Sequence, residues 1–396
     1  MRIALLAAAM SLAGCTTIAE PEPVPPAGVA VVFDRDSLEP VIVQGVANRE
    51  TARPVEANDP VRIASISKLI MALATLKLAE EGKVELTADV SDYLGWSVRN
   101  PAYPDAKVTL AQLLSHRSGL RDDAGYVIPL GESLEAKLAQ PEAWYAGAPP
   151  GQAPFEYANL GSPVVATVLE AASGERYDRL LDRLIFAPLE IDACLNWIGC
   201  DEDVVARAVT LYRSTGEVAR DDAADLPPNC TFPVADGVEC SLEGYVPGTN
   251  ASIFSPQGGV RIGMVDLARL GQAVMNGGEG GFLSSESWSA IILASAASDT
   301  GEQDFFCAYA LGVQFLNPIG SSCDNDLFGP RRGAMGHAGE AYGLRSGLWF
   351  DAYKRKSIAY FITQVPDRTA PDEGGFAPEE IAFARRAMRK ATEAGK

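Results

Sequence analysis

Ser65 and Lys68 stand three residues apart in Ala64-Ser65-Ile66-Ser67-Lys68, at the head of a long apolar run. On a helix, residues at that spacing share a face. A serine hydroxyl is a weak nucleophile until a base takes its proton. A lysine whose pKa is lowered by burial can be that base. The positive end of the helix favours an alkoxide beside it. The run continues through Ile66, Leu69, Ile70, Met71, Leu73, Leu76 and Leu78, with almost no polar face. This predicts a buried helix over about 65–81, stopped at Gly82, with Lys68 on its apolar surface. An S-x-x-K pair also arises by chance as a helix cap and a surface lysine, so it needs company.

Company stands far along the chain. Tyr157-Ala158-Asn159 is the only Y-x-N, placed where a loop runs into a helical pattern, and His337-Ala338-Gly339 precedes two late strand patterns. With these residues the sequence resembles the serine β-lactamase and penicillin-recognising superfamily, and within it class C β-lactamases, family VIII carboxylesterases and D-peptidases. ASISKLI, LLSHRSGL (113–120), YANLG (157–161), IFAPLEI (185–191), SPQGGVRIGMVDLARLG (255–271) and GHAG (336–339) occur in the family's order, over roughly 28–390.

The resemblance implies Ser65 as nucleophile and Lys68 as its activating partner. It implies Tyr157 as proton shuttle and Asn159 as the residue that orients the substrate carbonyl or amide. Gly339 and Glu340 would bound the substrate site, and the N–H groups of Ser65 and Glu340 would form the oxyanion hole. There is no G-x-S-x-G elbow and no sign of a class A deacylating glutamate.

The third motif departs from the Lys-Thr-Gly or Lys-Ser-Gly of many relatives. His337 replaces the fixed cation and Ala338 the hydroxyl. A free histidine titrates near 6.5, so His337 is expected to be only fractionally cationic at pH 7. That favours a carboxylesterase or D-peptide hydrolase over a class C-like β-lactamase or a slowly deacylating penicillin-binding protein. A catalytically inactive envelope binding protein is the remaining alternative. Arg345 is a second candidate for a carboxylate partner. His116 reads as a hydrogen-bonded loop histidine, and Trp96 and Trp144 as core or cleft wall.

The elements that must position these residues fall into a simple order. Strand patterns open the domain at 29–34 and 40–46 and return at 311–316, 344–351 and 357–365, the last two as a hairpin. Helical patterns fill about 107–190, including 162–174 and 178–186, and an amphipathic helix closes the chain over about 378–393. The expected class is α/β in the α+β sense: a β-lactamase-like antiparallel sheet built from both chain ends, flanked by helices, with an inserted mainly helical lobe. Residues 28–396 form one hydrolase domain, with a loop-rich insertion at about 200–250.

Residues 1–14 have a basic start and a short apolar run, ending in Leu12-Ala13-Gly14-Cys15. They read as a lipoprotein signal peptide, with Cys15 as the lipidated residue and 15–27 as a Pro-rich tether. The expected place is the periplasmic face of the bacterial envelope, anchored through Cys15, and Thr16 after the cysteine favours the outer membrane. Six further cysteines allow local disulfides, with sequential pairing the simplest expectation: Cys194–Cys200, Cys230–Cys240 and Cys307–Cys323. The chain holds 33 Lys+Arg against 52 Asp+Glu, a net charge of −19, which opposes nucleic-acid binding. Its two histidines form no zinc motif, so neither metal nor cofactor is expected. The expected partners are a small ester, amide or D-peptide and a membrane.

Overall fold

The computed structural model describes residues 25–219, 230–278, 281–296, 305–317, 325–329, 333–351, 356–366 and 375–394. Residues 1–24, with the expected signal peptide and Cys15, lie outside them.

Seven strands form one antiparallel sheet. From one edge the order is Leu38–Gln44, Gly28–Phe33, Ser357–Ile362, Leu344–Asp351, Ala334–Ala341, Val313–Leu316 and Ala308–Ala310. The two chain ends meet inside it, one strand in from the Leu38–Gln44 edge, where Gly28 pairs with Ile362 and Phe33 with Ser357. The Gly28–Phe33 strand is buried throughout because both faces are covered. Val29, Val31 and Phe33 join the main core, whereas Ala30 and Val32 pack with Phe383, Ala384 and Ala387 of the Pro378–Ala394 helix. On the main-core side the Met264–Met275 helix lies so close that a Cβ on Gly271 would fall 2.4 Å from the Phe33 ring.

The Ile66–Glu80 helix has apolar residues on all sides, and accordingly runs through the core between the sheet and the Gly161–Ser173 helix. The region expected to be helical contains the helices Leu110–Leu114, Leu134–Leu138, Gly161–Ser173 and Tyr177–Leu181, separated by longer loops than the pattern suggested. The 311–316 pattern gives the strand Val313–Leu316, and Leu311 and Gly312, both with positive φ, make the turn that joins it to a preceding strand, Ala308–Ala310. Residues 336–339 precede the two late strands, as expected, but not as a loop. They belong to a strand of their own, Ala334–Ala341, in which glycines and alanines hide the usual β signal.

A second sheet of three short strands, Val61–Arg62, Val260–Ile262 and Ala193–Leu195, stands beside Ser65. Strands of two or three residues are too short to show alternation, so sequence gave no sign of them.

The described part of the 200–250 insertion is mostly turns, with one short helix at Glu202–Ala206. Disulfides join Cys194 to Cys200 and Cys230 to Cys240. Cys307 is also disulfide-bonded, while Cys323 lies outside the described residues. Glu170, wholly buried, ties the insertion to the Gly161–Ser173 helix: its carboxylate accepts from the Tyr245 hydroxyl at 2.7 Å and from the Gly248 and Tyr177 N–H groups at 2.9 and 2.8 Å.

Candidate active site

The backbone presents Ser65 by a sharp change of direction. The chain leaves the Val61–Arg62 strand, passes through Ala64 at φ 49°, and enters the Ile66–Glu80 helix. Left-handed backbone is costly for a non-glycine residue and is held only where the surroundings enforce it. The first helical turn closes with Ser67 N–H to Ala64 C=O at 2.9 Å and Lys68 N–H to Ser65 C=O at 3.0 Å. Ser67 Oγ then accepts from Val260 N–H at 3.2 Å, which fixes the turn to the small sheet.

Lys68 Nζ lies 3.1 Å from Ser65 Oγ. It also lies 2.8 Å from Asn159 Oδ1 and 3.1 Å from the Gln257 carbonyl oxygen. A neutral amine has two N–H bonds and one lone pair. Both acceptors can be served by the N–H bonds, which leaves the lone pair for the serine proton. Burial lowers the Lys68 pKa to about 7, against a smaller opposing pull from Asp122. The amine can therefore act as a base near neutrality.

Tyr157 places its ring 4.7 Å from Lys68 Nζ. Its phenol is pushed well above its ordinary value by burial, with a hydrogen bond to Ser65 acting the other way. It is protonated at pH 7 and suited to donate or relay a proton. The ring is held in an aromatic cluster: Phe306 stacks on it at 4.6 Å, and His116 packs at 4.5 Å. His116 accepts from Ala158 N–H through Nδ1 at 3.3 Å and is kept neutral chiefly by burial, as expected of a structural loop histidine.

Asn159 is oriented by Asp122, a residue that sequence reasoning did not single out. The Asp122 carboxylate accepts from Asn159 N–H at 3.0 Å, Asn159 Nδ2 at 2.9 Å and Leu160 N–H at 2.9 Å. With its amide N–H groups held there, Asn159 turns its Oδ1 toward Lys68. Nothing in Arg121-Asp122-Asp123 separates this aspartate from its neighbour, which instead lies 3.9 Å from Arg121 with an exposed side chain.

His337 is 1% exposed, and its charge differs from the sequence expectation. Its Nδ1 meets the Ala338 carbonyl at 2.6 Å and must donate there, so Nε2 is the acceptor for the Tyr309 hydroxyl at 3.0 Å. Burial, helped by the nearby Lys68, lowers its pKa to about 3. The ring is therefore neutral at pH 7 rather than fractionally cationic. Arg345 does not supply the missing charge. It borders the same cavity but is buried, with its Nη2 paired to Glu340 at 2.8 Å and donating to the Pro366 carbonyl at 3.3 Å.

Gly339 sets the gap between this strand and Ser65. A Cβ there would lie 2.3 Å from the Ile63 carbonyl oxygen and 2.2 Å from Ser346 Oγ. Ser346 Oγ bonds that same carbonyl at 3.0 Å, locking the strand against the approach to Ser65.

Ser65, Tyr157, Asn159, His337, Gly339 and Glu340 line one cavity of about 770 Å³, with Lys68 buried just behind. Tyr126, Phe232, Phe305, Phe306 and Tyr342 give it an aromatic wall. Cys230 lies in that wall, so the Cys230–Cys240 disulfide braces it. Trp144 is in the core and Trp96 packs against it; neither lines the cavity.

Residues 25–378 match the family described as Beta-lactamase. The chain is similar to Esterase EstB of Burkholderia gladioli, 32% identical over 180 residues, covering 42% of this chain and 46% of that protein. It is also similar to the D-alanyl-D-alanine-carboxypeptidase/endopeptidase AmpH of Escherichia coli (strain K12), 34% identical over 137 residues, covering 33% and 34%. The matched part thus spans less than half the length of these curated relatives. A solved class C beta lactamase from Rhodobacter sphaeroides superposes with TM-score 0.62 at 18% identity, covering 94% of this chain and 95% of that one, a likeness of fold.

Proposed function

Because the chain belongs to the Beta-lactamase family, we propose that it is a serine hydrolase that cleaves an ester or amide through an acyl-enzyme on Ser65. The observation that carries this reading is the buried Lys68 amine, 3.1 Å from the Ser65 hydroxyl and with its pKa brought to about 7. In the first step Lys68 takes the Ser65 proton as Oγ attacks the carbonyl carbon. The N–H groups of Ser65 and Glu340 receive the developing oxyanion. Tyr157 donates its proton to the leaving group and is reprotonated by the Lys68 ammonium. Water then attacks the acyl carbon, the same groups run in reverse, and Ser65 is restored.

The substrate class is a carboxylic ester or amide that needs no carboxylate beside the scissile bond. Neutral His337, Ala338 in place of a hydroxyl, and the Arg345–Glu340 pair support this. The aromatic wall supports an apolar acyl or leaving group. The similarity to both an esterase and a carboxypeptidase is consistent with either an ester or a D-peptide bond.

Hydrolysis of p-nitrophenyl butyrate and of nitrocefin, measured side by side, tests the ranking. The ester is expected to exceed nitrocefin by about 100-fold or more in kcat/KM, the scale of a lost charge-assisted contact in the transition state. The opposite order would make the protein a β-lactamase in function.

A further inference from the structure

Glu340 meets the site twice. In the proposed reaction its N–H receives the oxyanion, while its side chain reaches across the sheet to Arg345. The two residues are register partners on the antiparallel strands Ala334–Ala341 and Leu344–Asp351, so their side chains leave the sheet on one face. Arg345 Nη2 meets the Glu340 carboxylate at 2.8 Å. The other bonds of the guanidinium go to neutral carbonyls, Nη1 to Leu344 at 3.2 Å and Nη2 to Pro366 at 3.3 Å. The Arg345 side chain is 2% exposed and that of Glu340 44%. The carboxylate is thus the outer cover of a buried cation.

Glu340 and Arg345 lie along the same end of the cavity as Phe305 and Phe306. Aromatic rings join that end to the chemistry: Phe306 stacks on Tyr157 at 4.6 Å, and Phe305 meets Phe306 edge-on at 4.8 Å. Because Tyr157 serves the leaving group, this is the leaving-group end. A second acid borders it, Glu380 of the closing helix, which accepts from the Tyr360 hydroxyl at 2.6 Å. A buried guanidinium left without a counter-anion is unfavourable. Any substrate carboxylate that answers it must take the place that Glu340 already holds. An anionic leaving group therefore meets a filled site and like charge, which is discrimination by repulsion.

We propose that the Glu340 carboxylate is the specificity-determining group of the leaving-group end: it occupies Arg345 in place of a substrate carboxylate and selects neutral or cationic leaving groups over anionic ones. This rests on the Ser65 hydrolase reading and deepens it, from a substrate that needs no carboxylate to a site that turns one away.

The test uses 4-carboxyphenyl butyrate and its methyl ester, which differ in the charge of the leaving group. The quantity read is kcat/KM of the acid over that of the methyl ester, divided by the ratio of their spontaneous hydrolysis rates in buffer. Damage to the oxyanion hole lowers both substrates and cancels. In Glu340→Ala, which vacates the place, and in Glu340→Gln, which keeps its size without the charge, the ratio is expected to rise by about 10-fold or more as Arg345 takes up the substrate carboxylate. In the double variant Glu340→Ala with Arg345→Met the rise should vanish, because no cation remains to take it. A ratio that moves in neither single variant, or a rise that survives the loss of Arg345, overturns the inference and leaves the hydrolase reading in place. Failure of both esters to acylate Ser65 in the unaltered protein overturns the hydrolase reading itself, and the inference with it.

Discussion

Replacing Lys68 by methionine is expected to lower kcat for ester hydrolysis by about 1,000-fold or more, the usual scale for losing a positioned base. Methionine fills the buried channel but leaves Ser65 with no group to accept its proton. The unaltered protein should show the complementary pH dependence. With the Lys68 pKa at about 7, the reactive amine is neutral above that value and protonated below it. kcat/KM should therefore rise with pH through about 7 and then level. His337 should add no second limb near 6, because its pKa lies at about 3.

Stability carries the same signature. The folded-state pKa of Lys68 is depressed, so between about 7 and its ordinary value of 10.5 the unfolded chain binds more protons than the native one. The contribution of this group to stability rises with pH across that window and is lost as pH falls through about 7. Thermal or urea unfolding of Lys68→Met should lack that part of the slope. An acid limb that survives unchanged in Lys68→Met would assign it to another group.

Asp122→Ala is expected to reduce kcat by about 100-fold, although Asp122 makes no hydrogen bond to Ser65 or Lys68. The substitution removes all three acceptor contacts that hold Asn159 and Leu160. Asn159 is then free to turn its Oδ1 away from Lys68, and the amine loses one of the contacts that aim its lone pair. The pH profile separates this positioning role from general damage to the fold. The Asp122 charge raises the Lys68 pKa, so its loss should move the acid limb to lower pH. A fall in kcat with the limb unmoved would mean that Asp122 only supports the loop.

The parts of this site that sequence reasoning reached share a property: their chemistry is written in residue type and spacing. Ser65 and Lys68 sit on a helix whose burial follows from its all-round apolar surface. The antiparallel sheet from both chain ends follows from β-branched runs at 29–34 and 357–365. What it missed depends on contacts between distant segments. Asp122 gains its role only when the 122 and 159 loops meet. Gln257 gains its role when a turn packs on the helix N-terminus. Neutral His337 required knowing that its strand is buried and that Tyr309 lies opposite its ring. The Ala334–Ala341 strand itself was hidden by glycines whose purpose is close approach, as Gly339 shows against Ile63.

The central claim is a covalent acyl-enzyme on Ser65, and the most direct measurement is intact-protein and peptide mass spectrometry after acid-quenching the reaction with p-nitrophenyl butyrate. The account predicts one butyryl group per chain, carried on the peptide that contains Ser65 and absent from Ser65→Ala, which should also lose turnover. An adduct on another residue, or turnover that persists in Ser65→Ala, would contradict it.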